Sequence, residues 1–167
     1  MNSCYFDSPI GRLIICEENG EIIQLYLEGY VDEAGEKNTR TQLQVSQNIS
    51  PILKETCKQL SEYFAGGRRE FQIPIRPQGT DFQKKVWNAL QEIPYGATRS
   101  YQDIAVAIDS PKSVRAVGQA NHNNHILLVV PCHRVISKSG TLGGFGCGLE
   151  VKRYLLELEK KVIDDKH

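Results

Sequence analysis

No apolar run in this sequence approaches the roughly 20 residues that a membrane-crossing helix requires, so no membrane span is expected. The first residues, Met1 to Ile10, contain Asp7 and lack the basic, apolar and cleavage regions of a secretory leader, which points to the cytoplasm. No CxxC pair occurs, and the five cysteines (Cys4, Cys16, Cys57, Cys132 and Cys147) are odd in number and scattered. A disulfide framework favours an even count in a shorter secreted chain, so these residues read as reduced thiols. His122 and His125 form an HxxH without a nearby cysteine or acid to complete a ligand set, and no metal is expected. Internal repeats and low-complexity tracts are missing as well.

Net charge is also missing: 20 basic residues balance 20 acidic ones. The sum hides an asymmetry. Residues 1–78 carry 8 basic and 11 acidic side chains, whereas residues 79–161 carry 11 and 7, so the second half is the basic one. By itself such a mild imbalance describes a solvated surface.

At 167 residues the chain has room for one ordinary domain or two small ones. Residues 12–28 predict a hairpin: Arg12–Cys16 and Glu21–Leu27 are rich in strand formers and flank the turn Glu18-Asn19-Gly20. Residues 29–49 are polar and aperiodic and read as a loop or ragged edge. Ser50-Pro51 then opens a helix with Leu53, Cys57, Leu60 and Phe64 along one face, closed by Gly66-Gly67. Phe71–Ile75 reads as a last strand, at an edge because of Pro74, and Pro77-Gln78-Gly79 as a boundary.

Beyond that boundary helices dominate. Thr80 to Gln83 has capping-box form and precedes the stripe Phe82, Val86, Leu90, Ile93, which Pro94-Tyr95-Gly96 ends. Ser100 and Asp103 cap a short helix with Ile104, Ala105 and Ile108, and Ser110-Pro111 opens another running to about Asn121, a pair compatible with a helix-turn-helix. Ile126–Val130 reads as a buried strand ending at Pro131. Glycines fill a loop over 140–148, and Leu149 to about Lys160 forms a final helix with Leu155, Leu156 and Leu158. The expected fold is α/β (α+β): a small strand-helix domain over residues 1–78, then a mainly helical domain over 79–167.

Chemistry concentrates in Pro131-Cys132-His133-Arg134-Val135. A cysteine following a proline stands where a strand ladder must stop, free to face a pocket. A free thiol, with pKa about 8.5, is only a few per cent thiolate at neutral pH, so a neighbouring histidine matters as a proton acceptor. Adjacency alone favours a buried cysteine beside a surface histidine and arginine.

The longer string Val130-Pro-Cys-His-Arg-Val-Ile136 resembles the active-site signature of the O6-alkylguanine-DNA alkyltransferases. The resemblance covers residues 79–160 and includes Ser100-Tyr101-Gln102, Ser113 to Ala120, Asn124, the Gly143–Leu149 loop and Glu159. The first half is similar only in size and outline. The resemblance implies DNA repair by a single irreversible transfer of an alkyl group, from O6 of guanine and also O4 of thymine, to Cys132. His133 is then the base, acting through a water, with Glu159 orienting it. Asn124 braces the turn and Tyr101 donates its hydroxyl toward N3 of the guanine. The carbonyl of Val135 and the backbone near Gly146 hold the base. Arg115 takes the place of the flipped nucleotide on a DNA-binding surface with Gln102, Ala116 and Gly118, docked in the minor groove. The implied partner is double-stranded DNA containing O6-alkylguanine, the protein acts as a monomer, and no cofactor is involved. Two positions depart from the family pattern: Cys147, where a small residue is usual, and His122, where an arginine is common.

Three other readings compete. A non-reacting module that recognises alkylated DNA would replace the cysteine, which is present. A cysteine hydrolase using Cys132 and His133 would turn over repeatedly without DNA; in an extended segment the two side chains face opposite ways, which favours a water relay over direct transfer. A helix-turn-helix transcription factor leaves the cysteine unexplained.

Overall fold

The structure is a computed structural model and describes residues 1–29, 49–142 and 148–165. The chain divides into two compact units, Met1–Pro77 and Gln78–His167.

The first unit is built on an antiparallel sheet in the order β1 (Asn2–Ser8), β2 (Gly11–Glu18), β3 (Glu21–Leu27). The expected hairpin is β2–β3. Asn19 (φ 55°) and Gly20 (φ 79°) supply the two left-handed residues that a tight hairpin needs to follow the twist of its strands. Strand β1 was not foreseen; it pairs along its whole length with β2, from Asn2 opposite Glu17 to Ser8 opposite Gly11. Helix α1 (Pro51–Phe64) begins at Pro51 with Ser50 at its N-cap position. Its inner face is Leu53, Thr56, Gln59, Leu60 and Tyr63, while Cys57 and Phe64, expected inside, are half-buried. Thr56 is tolerated there because its hydroxyl donates to the carbonyl of Ile52 at 2.8 Å. Leu13, Ile15, Ile22, Leu25, Leu53 and Leu60 complete the core at no exposure, each worth about 1.5–3 kcal/mol of burial.

The strand expected over Phe71–Ile75 reduces to one parallel bridge, Ile75 to Ile22. The cause is a side chain. Gln59 accepts from the backbone N–H of Gln72 at 2.8 Å and donates to its carbonyl at 3.2 Å, filling both positions a strand partner would take. Pro74 then offers only a carbonyl, used by the N–H of Ile22.

The second unit packs α2 (Asp81–Gln91), α3 (Tyr101–Ala107), α4 (Val114–His122) and α5 (Leu149–Asp164). Both expected capping boxes form: Thr80 with Gln83, and Ser100 with Asp103. Gly79 is required because a Cβ there would lie 2.6 Å from the Trp87 ring. That ring donates its N–H to the carbonyl of Ala120 at 2.8 Å, tying α2 to α4. Helix α4 starts at Val114 with Ser113 at the N-cap position, later than Ser110-Pro111 suggested. Pro111 instead lies in the turn between α3 and α4, so the helix-turn-helix arrangement is present.

The buried strand expected over Ile126–Val130 is absent. The segment is buried but coiled into turns: Val130 N–H donates to the carbonyl of Ile126, and Leu128 has φ 70°. Asn124 explains it, because its side chain accepts from the N–H of Ile126 at 3.0 Å and donates to the carbonyl of Val130 at 2.8 Å, clasping the two ends of the run. A single 3-10 turn, Cys132–Arg134, follows. It leads into β5 (Val135–Ile136), which pairs in parallel with β4 (Arg99–Ser100). No helix among the described residues is long and apolar enough to cross a membrane.

Candidate active site

The site is assembled by short-range devices. The β4–β5 pairing sets Ser100 beside Ile136, and Ser100 caps α3, so Tyr101 starts its helix next to the Cys132–Arg134 turn. Asn124 holds the carbonyl of Val130 ahead of that turn, and Asn121 donates to the carbonyl of Cys132 at 3.3 Å. The turn is thereby held from both sides by amide side chains of the same short stretch.

Cys132 is buried at 2% exposure. Burial pushes its thiol up to about 11, while the Asn124 amide, the charge of Lys152 and the backbone N–H groups of Cys132 and His133 oppose the rise. The resting thiol is therefore protonated at neutral pH, and any reaction through sulfur requires a proton acceptor.

His133 follows on the same turn and is buried as deeply. Its Nε2 lies 2.6 Å from Oε2 of Glu159. Its Nδ1 is buried and has no hydrogen-bond partner among the described residues. With Nε2–H donating to the carboxylate, the free lone pair sits on Nδ1. Burial lowers the pKa of this imidazole, with the Glu159 hydrogen bond and charge acting the other way, so the ring rests neutral.

Glu159 draws polar partners both from the His133–Arg134 turn and from the helix break at Gly96. Besides His133 it accepts from Nε of Arg134 at 2.8 Å, from Nη2 of Arg134 at 3.2 Å and from the N–H of Gly96 at 3.1 Å. Burial alone would raise its pKa, but His133 and Arg134 overcome that and hold the carboxyl far below the usual range. Arg134 spends a further N–H on the carbonyl of Ile93 at 2.8 Å. Gly96 has φ 79° and a Cβ there would lie 1.9 Å from Ile163, so the helix break at Pro94-Tyr95-Gly96 can approach α5 only as glycine.

Of the residues singled out in the sequence, the structure brings Cys132, His133, Asn124, Glu159, Tyr101 and Val135 into this region. Tyr101 is half-buried, and burial, followed by the proximity of Cys132, raises its pKa. Val135 is buried in β5. Arg115 and Ala116 are exposed on α4. Gly118 faces inward, where a Cβ would contact the Tyr101 ring at 3.9 Å. Gln102 donates its amide to the carbonyl of Pro111 at 3.2 Å, bridging the turn of the helix-turn-helix. Gly146 and Cys147 lie outside the described residues. His125 packs edge-on against Trp87 at 6.2 Å between centroids, and the described residues gather no cluster of three or more metal-ligating side chains.

Two participants were missed in the sequence. Lys152 has no exposure at all and lies 6.0 Å above the Tyr101 ring centre, with burial bringing its pKa down to about 8 against the pull of Cys132. Arg134 read only as part of a motif, although it neutralises the Glu159 carboxylate. A signal for Lys152 existed: residues 152, 155 and 159 fall on one helical face, and all three are buried.

Comparison with known proteins accounts for both units. Residues 2–77 match the ribonuclease-like domain of 6-O-methylguanine DNA methyltransferase, and residues 81–161 match its DNA binding domain. The chain belongs to the O6-methylguanine DNA methyltransferase family. Among its relatives, the constitutive methylated-DNA–protein-cysteine methyltransferase of Bacillus subtilis is 48% identical over 163 residues, 96% of each chain. The methylated-DNA–protein-cysteine methyltransferase of Haemophilus influenzae is 41% identical across 97% of this chain and 88% of its own. Among solved structures, Mycobacterium tuberculosis OGT in complex with DNA superposes with a TM-score of 0.86 at 42% identity, covering 97% of this chain and 94% of that one.

Proposed function

We propose that this chain repairs DNA by moving the alkyl group of an O6-alkylated guanine onto Cys132, once per molecule. The observation that carries the reading is the orphaned Nδ1 of His133, a basic lone pair on the same turn as a thiol that cannot ionise unaided. His133 takes the thiol proton, through a water, and Glu159 with Arg134 fixes the tautomer that keeps Nδ1 free. The Cys132 sulfur attacks the alkyl carbon, the carbon–O6 bond breaks, and its electron pair stays on the guanine. Tyr101, whose hydroxyl remains protonated well above neutral pH, donates toward N3 as that charge develops. The product is a thioether, and no group among the described residues offers a way to cleave it.

The substrate atom lies in a stacked duplex, so the nucleotide must leave the stack at a cost of a few kcal/mol. Exposed Arg115 on α4 fills the vacated position, with Ala116 small enough to permit close approach. Gln102 shapes the turn between α3 and α4, and Gly118 gives Tyr101 its room. Val135 and the loop containing Gly146 hold the base. The partner is double-stranded DNA with minor-groove docking, read with little sequence preference. The protein acts as a cytoplasmic monomer without a cofactor, with residues 79–167 carrying the reaction.

The test is intact-protein and peptide mass after mixing with an O6-methylguanine duplex. A gain of one methyl on the Cys132 peptide, saturating at one per protein, is expected. Tight lesion binding with no gain in mass would replace transfer by recognition alone.

A further inference from the structure

The N-terminal unit holds a second thiol site that alkyl transfer does not use. Cys4 on β1 and Cys57 on α1 bring their sulfurs to 3.7 Å. Both are free; Cys4 is buried and Cys57 is half-buried. Cys4 stands opposite Ile15 of the central strand, on a fully paired stretch of sheet. Cys57 lies midway along a 14-residue helix. The contact is thus fixed by two regular elements and joins residues 53 positions apart. A disulfide needs about 2.05 Å between sulfurs, so closure asks for a movement of about 1.7 Å, within reach of side-chain torsion.

We propose that Cys4 and Cys57 form a reversible dithiol–disulfide site that hydroperoxides oxidise ahead of Cys132. The difference in exposure assigns the order of events. Cys57, the more accessible thiol, meets the oxidant: its sulfur attacks one peroxide oxygen, the O–O bond breaks, and Cys57 becomes a sulfenic acid as hydroxide departs and takes the Cys57 proton to form water. Cys4, shielded from solvent but in contact, then attacks the Cys57 sulfur. The sulfur–oxygen bond breaks, water leaves with the Cys4 proton, and the S–S bond forms. Two thiols are oxidised by two electrons and one hydrogen peroxide is reduced to two waters. Cys16 is close but packs with Ile14, Ile23 and Tyr26, and it stands opposite Ser3 in the sheet. Cys132 has neither a neighbouring thiol in contact nor solvent access among the described residues.

The full chain is treated with one equivalent of hydrogen peroxide, denatured in the presence of N-ethylmaleimide and digested without reduction. The expected result is a single cross-linked pair of peptides containing Cys4 and Cys57, two maleimide labels fewer than in untreated protein, a fully labelled Cys132, and restoration of both labels by dithiothreitol. In Cys57→Ser the same treatment yields no internal disulfide. Labelled Cys4 and Cys57 beside an oxidised Cys132, or a disulfide joining either residue to another cysteine, would overturn the proposal. Because thiol labelling needs no DNA, its outcome is independent of whether alkyl transfer is found.

Discussion

Replacing Glu159 by glutamine isolates the electrostatic design of the site, because the amide cannot serve His133 and Arg134 together as the carboxylate does. Arg134 presents two N–H donors and His133 presents Nε2, at 2.8, 3.2 and 2.6 Å. The glutamine has one acceptor oxygen and one donor NH2. If its oxygen faces Arg134, its NH2 faces Nε2, which must then accept, and the imidazole proton moves to Nδ1. The lone pair that takes the thiol proton is lost. If its oxygen faces His133, its NH2 confronts the guanidinium, and a buried cation loses its counter-charge. The first arrangement is favoured, and the rate of methyl transfer should fall by roughly 10^2–10^4-fold, the range over which a positioned base acts. Removing the charge from this buried pair should also cost stability, about 3 kcal/mol at the lower end of what breaking such pairs costs, since the carbonyl of Ile93 still holds Arg134. For a chain of this size that is a fall of about 6–12 °C in Tm. Single-turnover transfer from an O6-methylguanine duplex, quenched at intervals and read by mass, gives the rate, and nitrogen NMR of the imidazole gives the tautomer. A folded Glu159→Gln protein reacting within threefold of the parent would refute the reasoning. Should that variant not fold, His133→Gln, which leaves Glu159 paired with Arg134, carries the same expectation for the rate.

Other perturbations have definite signs. The carboxyl of Glu159 titrates far below its unfolded value, so its stabilisation is complete above about pH 5 and drains as pH falls below that; urea midpoints should drop steeply between about pH 5 and 3 in the parent and more gently in Glu159→Gln. Lys152, with a folded pKa of about 8, is charged and buried at pH 7, a cost relieved only as pH rises through 8 toward its unfolded value. Lys152→Met should therefore be more stable at pH 7, by at most about 3 kcal/mol. It should also transfer more slowly, because the charge that helps the Cys132 thiol ionise is gone; lower stability with an unchanged rate would contradict this. Arg115→Ala should slow repair of duplex DNA at least tenfold more than reaction with the free modified base, about 1.4 kcal/mol assigned to filling the gap in the stack, as single-turnover rates on the two substrates will show. Gly96→Ala forces a Cβ to within 1.9 Å of Ile163 at a left-handed φ, and thermal unfolding should report a loss of about 1–3 kcal/mol.

Elements carried by local rules were legible in the sequence. The hairpin turn at Asn19-Gly20 and the capping boxes at Thr80 and Ser100 are decided by residues within three positions of one another, and all of them form. The chemistry of Cys132 and His133 was legible through the motif that contains them. What escaped was decided by amide side chains that take up backbone hydrogen bonds in place of a strand partner. Asn124 turns an apolar run that reads as strand into a clasped coil, and Gln59 takes the hydrogen bonds that would have made residues 71–75 a strand. The extended backbone assumed around Cys132 and His133 is a 3-10 turn for the same reason: the turn begins where the Asn124 clasp ends. Periodicity puts Lys152 and Glu159 on the face of Leu155 but does not decide that they are buried, because a buried charge looks like a surface one until its partners are known. Strand β1 pairs with β2 throughout, but its first residues carry little hydrophobic alternation to announce it.

The contacts gathered on the Glu159 carboxylate have a practical corollary. One group closes the gap between the helix break at Gly96, the turn bearing Cys132 and the last helix, and it also sets the protonation of the imidazole. A chain in which α5 has not docked has no fixed tautomer at His133 and no reason to ionise its thiol. Reactivity is thus a property of correctly folded molecules only. For a protein that reacts once, the number of alkyl groups taken up from excess substrate is a head-count of native chains, and a preparation can be assayed for its folded fraction by mass alone.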